Sequence, residues 1–566
     1  MTTVKNPSEI KPSSRALRPT GHLGKPWTIL VFLTVAFTLL PLLALTWQAT
    51  GSSDGVWAHL IANVLPQSLA VTFTLLIGVG LGTFIVGSGT AWLVSRYQFP
   101  LRNILQWALI LPLAVPTYIS AYTWTEFAGY TGPLQEWTRI LGGFETSRDY
   151  WFPDIRSTTG AVLLISLVLF PYVYLPSRLS FSVQSSNLFD VARLLGAGPI
   201  RLFLRVALPA ARPAIAIGVI LALMETMNDI GAVEHLGVRT LTFSVFDTWL
   251  NRSSLAGAAQ LSLLLMVLVF GLMAMERHMR SKQSYHGRSQ SNAMQVRISL
   301  TGAKAFTACI TCLLPVLLGF GVPLFQLLHF TFASPAQLGD TALYSAAINS
   351  INVAVASALI CILAAFVIVY AARRSSSPLY IHASQISTLG YAVPGTILGL
   401  GILVAMTSFD NWLSSWMQSI FDIRTGLLIS GSLAIVIFAC SVRFLAIAIG
   451  NIEAGYAKIT PNISEAARTL GHSRASALWF VELPMISKAA GIAGVLVFVE
   501  SMKELSATLL LRPFNFDTLS TYVYTRASRA VFEEASVAAL MIVLIGLVPV
   551  YVLTTMIISE QNAKSR

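Results

Sequence analysis

From Trp27 to Trp47 the chain reads WTILVFLTVAFTLLPLLALTW, without one charged side chain. A helix of that length spans the hydrocarbon core of a bilayer, about 30 Å thick. Hydropathy places such windows near 27–47, 68–95, 104–124, 158–177, 211–233 and 256–275. Six more follow near 305–330, 347–372, 384–407, 425–446, 486–511 and 533–558. No soluble core needs so many, and with 55% hydrophobic and 11% charged residues the chain cannot supply a polar shell for one. The reading is an all-α polytopic membrane protein of about twelve transmembrane helices.

A net charge of +12 would suit a nucleic-acid binder, but its placement excludes that class. Lys5, Lys11, Arg15, Arg18 and Lys25 precede the first span, and Arg96 and Arg102 follow the second. Arg277, Arg280, Lys282, Arg288 and Arg297 lie mid-chain, and Lys564 and Arg566 close it. Basic residues in short loops mark the cytoplasmic face. Both termini and the linker are therefore expected inside, and the first span is expected to be a retained helix rather than a cleaved signal. The partition is a tail (1–26), a six-helix half (27–275), a linker (276–304), a second half (305–558) and a tail (559–566). Because both halves enter the membrane in the same direction, they form parallel repeats. Cys309 and Cys312 form a C-x-x-C inside a span, with no second pair and no neighbouring His, and read as small packing residues.

The repeat is also written in the residues. DVARLLGAGPIRLFLRVALP (190–209) aligns without a gap to EAARTLGHSRASALWFVELP (465–484), an offset of 275. The same offset sets ETMNDIGA (225–232) against ESMKELSA (500–507), and a looser echo joins AVPTYI (114–119) to AVPGTI (392–397). Each copy of the first pair falls between the fourth and fifth span of its half. Each carries apolar residues at helical spacing with basic residues between them, a glycine suited to a sharp turn, and a proline suited to the first turn of the next helix. One such element would fit an amphipathic helix resting on lipid equally well. Two at equivalent positions point to a docking element for a partner with two matching sites.

The pattern Glu-Ala-Ala, three residues, Gly, nine residues, Ile-x-Leu-Pro resembles the cytoplasmic loop of bacterial ABC-importer permeases. The second half has Glu465, Ala466, Ala467, Gly471, Leu483 and Pro484 in register, with Val481 for the Ile. The first half has Asp190, Ala192, Gly196, Val206, Leu208 and Pro209, with Val191 for the first Ala. The fusion itself, LPLAVPTYISAYTW (111–124) and the segment from Glu225 to Arg252 are similar, more narrowly, to the fused two-domain permeases of iron(III) importers. The resemblance implies a type I permease in the bacterial inner membrane. It implies loops docking on a separate cytoplasmic ATPase, most simply a homodimer, and a substrate-binding protein outside. The implied substrate is ferric iron, with thiamine, phosphonate or another small solute as the alternative. The outer segment 125–157 is an exposed amphiphilic loop onto which a binding protein could dock.

No phosphate-binding loop G-x-x-x-x-G-K-[ST] is present. GHLGKP (21–26) lacks both the spacing and the hydroxyl residue. ATP is thus expected to be used by the partner; no cofactor, metal site or catalytic constellation is assigned to this chain, which is not read as an enzyme. An ion-coupled secondary transporter would explain the repeat but not the paired loops.

The remaining chemistry lies in acids within the spans, each costing roughly 3 kcal/mol at mid-bilayer. Glu225 and Asp229 are four apart, as are Glu500 and Glu504, so each pair is expected on one helix face. Lying about 14 residues into their helices, Glu225 and Glu500 would sit roughly 21 Å along, past the midplane. The four could line a central route for a hard cation. Alternatively they pair locally, Lys503 with Glu500 or Glu504. Glu234 and His235 are expected at the outer end of a span, as solvated loop residues.

Overall fold

The computed structural model describes residues 24–564, apart from 54, 185, 287–296, 376, 460–462, 464–465 and 468. Glu465 and most of the N-terminal tail lie outside the described residues. Among those described, eleven helices are long and apolar enough to cross a membrane, and one helix pair, bent by 95° at a break, makes twelve when counted as a single span.

In the first half, α1 (Lys25–Ala49) and α2 (Val56–Arg96) are followed by the bent span, made of α3 (Arg102–Ala108) and α4 (Thr117–Ala128). An outer helix, α5 (Pro133–Gly142), leads to α6 (Thr158–Ser182). Next come α7 (Ser186–Leu194), α8 (Pro199–Asn228), the short α9 (Ile230–His235) and α10 (Leu241–Leu250), and the half ends on α11 (Leu255–His286). The second half repeats the order with α12 (Gly302–Ala333), α13 (Thr341–Arg374), α14 (Pro378–Ser387), α15 (Gly395–Phe421) and α16 (Leu433–Ala457). It closes with α17 (Ala475–Lys503), α18 (Ser506–Leu511), α19 (Leu519–Ser528) and α20 (Ser536–Lys564). Among the described residues the one sheet is a two-residue parallel clasp of β1 (Tyr97–Gln98) with β2 (Ile298–Ser299), which ties the end of α2 to the linker.

Several spans differ from the hydropathy reading in a consistent way. The windows 104–124 and 384–407 are not continuous helices: both break at their Ala-Val-Pro. Proline disfavours the helical region for the residue before it, and Val115 (ψ 114°) and Val393 (ψ 107°) are extended. The windows 211–233 and 486–511 also break, at Asp229 (ψ 99°) and Glu504 (ψ 122°). Hydropathy averages over such breaks because it is blind to backbone angles.

The first helix of each half packs on the other half. Thr28 Oγ1 lies 3.0 Å from Tyr380 Oη, and the Phe37 ring 4.2 Å from that of Phe438. Gly401 of α15 admits α1 so closely that a Cβ there would lie 2.3 Å from the Pro41 carbonyl oxygen. Reciprocally, the Trp124 indole donates to the Leu318 carbonyl (3.1 Å), and a Cβ on Gly319 of α12 would lie 2.4 Å from the Leu167 oxygen. Backbone cannot yield as a flexible side chain does. Gly401→Ala or Gly319→Ala is therefore expected to destabilise the protein by about 1–3 kcal/mol, as over-packing does. Gly491→Ala, with open space around it, should leave thermal unfolding in detergent unchanged.

Candidate translocation site and coupling loops

The helix breaks of both halves meet around one cavity of about 120 Å³. Pro116 and Thr117 reach it from the first bent span; Glu225, Asn228 and Asp229 come from the end of α8, and Glu500, Lys503 and Glu504 from the end of α17. Arg443 of α16 lies between them. All four acids singled out from the sequence are therefore brought together, but not as two pairs on two helix faces. Asp229 and Glu504 have left the helix and begin the next one. Asp229 Oδ1 accepts from the Ala232 amide (3.0 Å). Glu504 accepts from the Ala507 (2.8 Å) and Thr508 (2.9 Å) amides and from the Thr508 hydroxyl. A spacing of four reads as a helix face only while the helix continues.

Local pairing divides the acids further. Lys503 Nζ pairs with Glu500 at 3.0 Å, one of the two partners the sequence offered. Glu504 is held instead by Arg443, whose Nη1 lies 2.7 Å from Oε1 in a buried pair. Asn228 donates to Glu225 Oε2 (3.3 Å) while its Oδ1 accepts from the Gly395 amide (2.7 Å). Its carbonyl accepts from the Ser506 hydroxyl (3.0 Å). One asparagine thus joins the break in α8 to the two breaks of the opposite half. The cavity is lined by four carboxylates and two cations, with Glu225 and Glu500 the half-buried acids at equivalent positions. Among the described residues no three His, Cys, Asp or Glu side chains converge as a chelating group.

Arg443 was missed by a search confined to acids. The same rule, that an ionisable side chain inside a span needs a reason, applies to it equally. Glu234 and His235 are also corrected. They are half-buried rather than solvated: Tyr524 donates to Glu234 Oε2 (2.8 Å) across the halves, and His235 Nε2 lies 2.8 Å from Thr125 Oγ1.

The two loops share one turn. Gly196 (φ +80°) and Gly471 (φ +90°) sit in the left-handed region. The Ala197 amide bonds back to Ala192 O (3.0 Å) and the His472 amide to Ala467 O (3.1 Å), the six-residue closure that ends a helix at a glycine. Asp190 and Ala466 are exposed and Ala467 is buried. Phe189 anchors α7 by packing on Trp92 (5.7 Å), which leaves Leu194 87% exposed; Leu470 in the other loop is 82% exposed. Pro209 and Pro484 do not open the following helices, as the sequence reading had it. Those helices begin near Pro199 and Arg474 and pass through π-turns at Phe203–Ala207 and Leu478–Glu482. A widened turn, in which the Leu208 and Leu483 amides bond five residues back, eases the clash of a proline inside a helix.

Residues 78–284 match the family of binding-protein-dependent transport system inner membrane components. The molybdenum transport system permease protein ModB of Escherichia coli is 30% identical over 184 residues, 32% of this chain and 71% of that protein. The chain belongs to this family of binding-protein-dependent permeases. It is the membrane component of an ABC importer, a multi-pass inner-membrane protein, and not the ATPase. Membership sets aside the ion-coupled transporter and gives the permease two kinds of partner, an ATPase and a substrate-binding protein. The Fe(3+)-transport system permease protein FbpB 2 of Haemophilus influenzae is 27% identical over 535 residues, 93% of this chain and 97% of that protein. The sulfate transport system permease protein CysT of Escherichia coli is 29% identical over 225 residues, 39% of this chain and 76% of that protein.

Removing Arg443 from the permease strands the Glu504 charge. Arg443→Met should cost about 3–5 kcal/mol, whereas Arg443→Met with Glu504→Gln should cost clearly less. Thermal unfolding of the four proteins of this cycle measures the difference.

Proposed function

We propose that the permease carries ferric iron inward through the cavity between its halves, with Glu225 and Glu500 as transient oxygen ligands. The observation that carries this reading is similarity to an iron(III) permease along nearly the whole chain, both halves included. The half-buried carboxylates that line the cavity support it, because a hard cation prefers oxygen donors and must be released as readily as it is bound. Asp229 and Glu504 hold the backbone at the breaks and shape the route rather than lining it with free charge.

The loops at Asp190–Pro209 and Glu465–Pro484 are the docking elements for the ATPase, one per subunit of a homodimer. Their exposed leucines suit insertion into an apolar cleft. The termini, the linker and both loops face the cytoplasm, lipid surrounds the bundle, and a substrate-binding protein delivers to the opposite face across the segment 125–157. In each half the six spans act as one moving unit, apart from the exchanged first helix.

Uptake of radiolabelled ferric iron by iron-starved cells, with the gene deleted and then restored, tests the substrate. Uptake should fall and return; if it does not change while no other iron system operates, the substrate is another small solute. In the restored strain, Glu225→Gln with Glu500→Gln should lower uptake at least about tenfold while complex assembly is unchanged, since each loses a charged contact. Gly196→Leu and Gly471→Leu each force a left-handed backbone on a bulky residue, at roughly 1–2 kcal/mol of local strain. Both should reduce co-purification of the ATPase while the permease remains inserted. Normal assembly in these variants would remove the docking role.

A further inference from the structure

A second polar cluster lies away from the cavity, where the coupling-loop ends of α2, α3 and α6 meet the linker. Arg102 is only 4% exposed and Arg178 only 8%, yet neither has a carboxylate partner among the described residues. Arg102 donates Nε to the Val94 carbonyl (2.8 Å) and Nη1 to the Asn103 amide oxygen (3.1 Å). Arg178 donates Nη2 to Gln106 Oε1 (3.0 Å) and lies over the Trp107 ring at 4.9 Å; its buried Nη1 has no acceptor. Arg297 is exposed and directly precedes β2, which pairs with β1 at the end of α2, and its charge acts on both Arg102 and Arg178.

Every acceptor these arginines have is neutral. The segments that build the cluster, 97–113, 170–189 and 297–320, contain no Asp or Glu at all. Like charges brought together in a poorly solvated place repel one another, and a buried donor without an acceptor costs about 1–3 kcal/mol. An ion pair within the chain would relieve both, and none of these segments carries an acid to make one; Asp190, just beyond them, acts on Arg96 instead. Two buried guanidinium groups and a third, exposed one whose charge acts on both offer the charge-assisted donors that phosphate oxygens take.

We propose that Arg102, Arg178 and Arg297 form a phosphate-binding site on the coupling-loop side of the first half, filled by an anionic lipid headgroup or by free phosphate. The site bridges α2, α3, α6 and the linker, so its ligand would brace the frame against which α7 and its loop are set. It does not depend on the iron reading, because none of its residues touches the cavity.

The test uses the full chain, purified in detergent and stripped of native lipid. Phosphatidylglycerol, phosphatidylcholine and inorganic phosphate are titrated separately, and bound molecules are counted by native mass spectrometry. One phosphatidylglycerol should be retained at least about tenfold more tightly than phosphatidylcholine, the difference expected for one charged contact. Arg178→Gln should remove that preference. Arg297→Glu should remove it too and, being a change of an exposed side chain, leaves folding intact. Saturable binding of phosphate, lost in Arg297→Glu and without any preference for phosphatidylglycerol, identifies free phosphate as the ligand. Equal retention of the two lipids with no phosphate binding overturns the proposal, as does phosphatidylglycerol or phosphate binding that Arg297→Glu leaves unchanged.

Discussion

A helix that stops within a transmembrane bundle leaves amide and carbonyl groups that water cannot reach, and everything around the central cavity follows from satisfying them. Three breaks line it, and the fourth, before Gly395, is tied to it through Asn228. Asp229 and Glu504 cap the helices that restart, and Asn228 takes the Gly395 amide. The carbonyls left at the ends of α8 and α17 are met by equivalent hydroxyls, Thr242 on Met227 (2.7 Å) and Ser520 on Met502 (3.1 Å). Polar side chains sit in the middle of an apolar bundle because the backbone there requires them. The cavity is the space that irregular backbone leaves between two halves.

That requirement also separates the acids by role. Two carboxylates are consumed by the backbone and by Arg443, while Glu225 and Glu500 remain turned to the cavity with weaker partners. The repeat is not perfectly symmetric at this point: Asn228 of the first half corresponds to Lys503 of the second. The asparagine fastens the halves together, and the lysine neutralises an acid. A single-chain permease can hold such an asymmetry, which a homodimer could not.

Much of the architecture was legible in the sequence. Uncharged windows marked the spans, and the constant offset from Asp190 to Glu465 and from Glu225 to Glu500 revealed the two halves. The loops were legible because a glycine in a left-handed turn leaves a fixed mark, and both copies carry it. What stayed hidden depends on backbone angle or on distant contacts. The Ala-Val-Pro strings were visible as a repeat, but hydropathy continues through them, and the acids at i and i+4 look like one face until the helix ends. Arg443 finds Glu504 across 61 residues of chain, and no local pattern marks that pair. The exchange of first helices shows only as glycines whose neighbours are unknown until the fold is built.

The halves touch through Tyr524 and Glu234 at the ends of the spans away from the two loops, and on the reading proposed here that contact must part for iron to enter. Glu234→Cys with Tyr524→Cys allows a short thiol cross-linker to hold it closed in the assembled importer. The account predicts that ATP-dependent uptake of ferric iron falls to background when the link is formed and returns when it is reduced. Full uptake through the cross-linked protein would contradict a path between the halves.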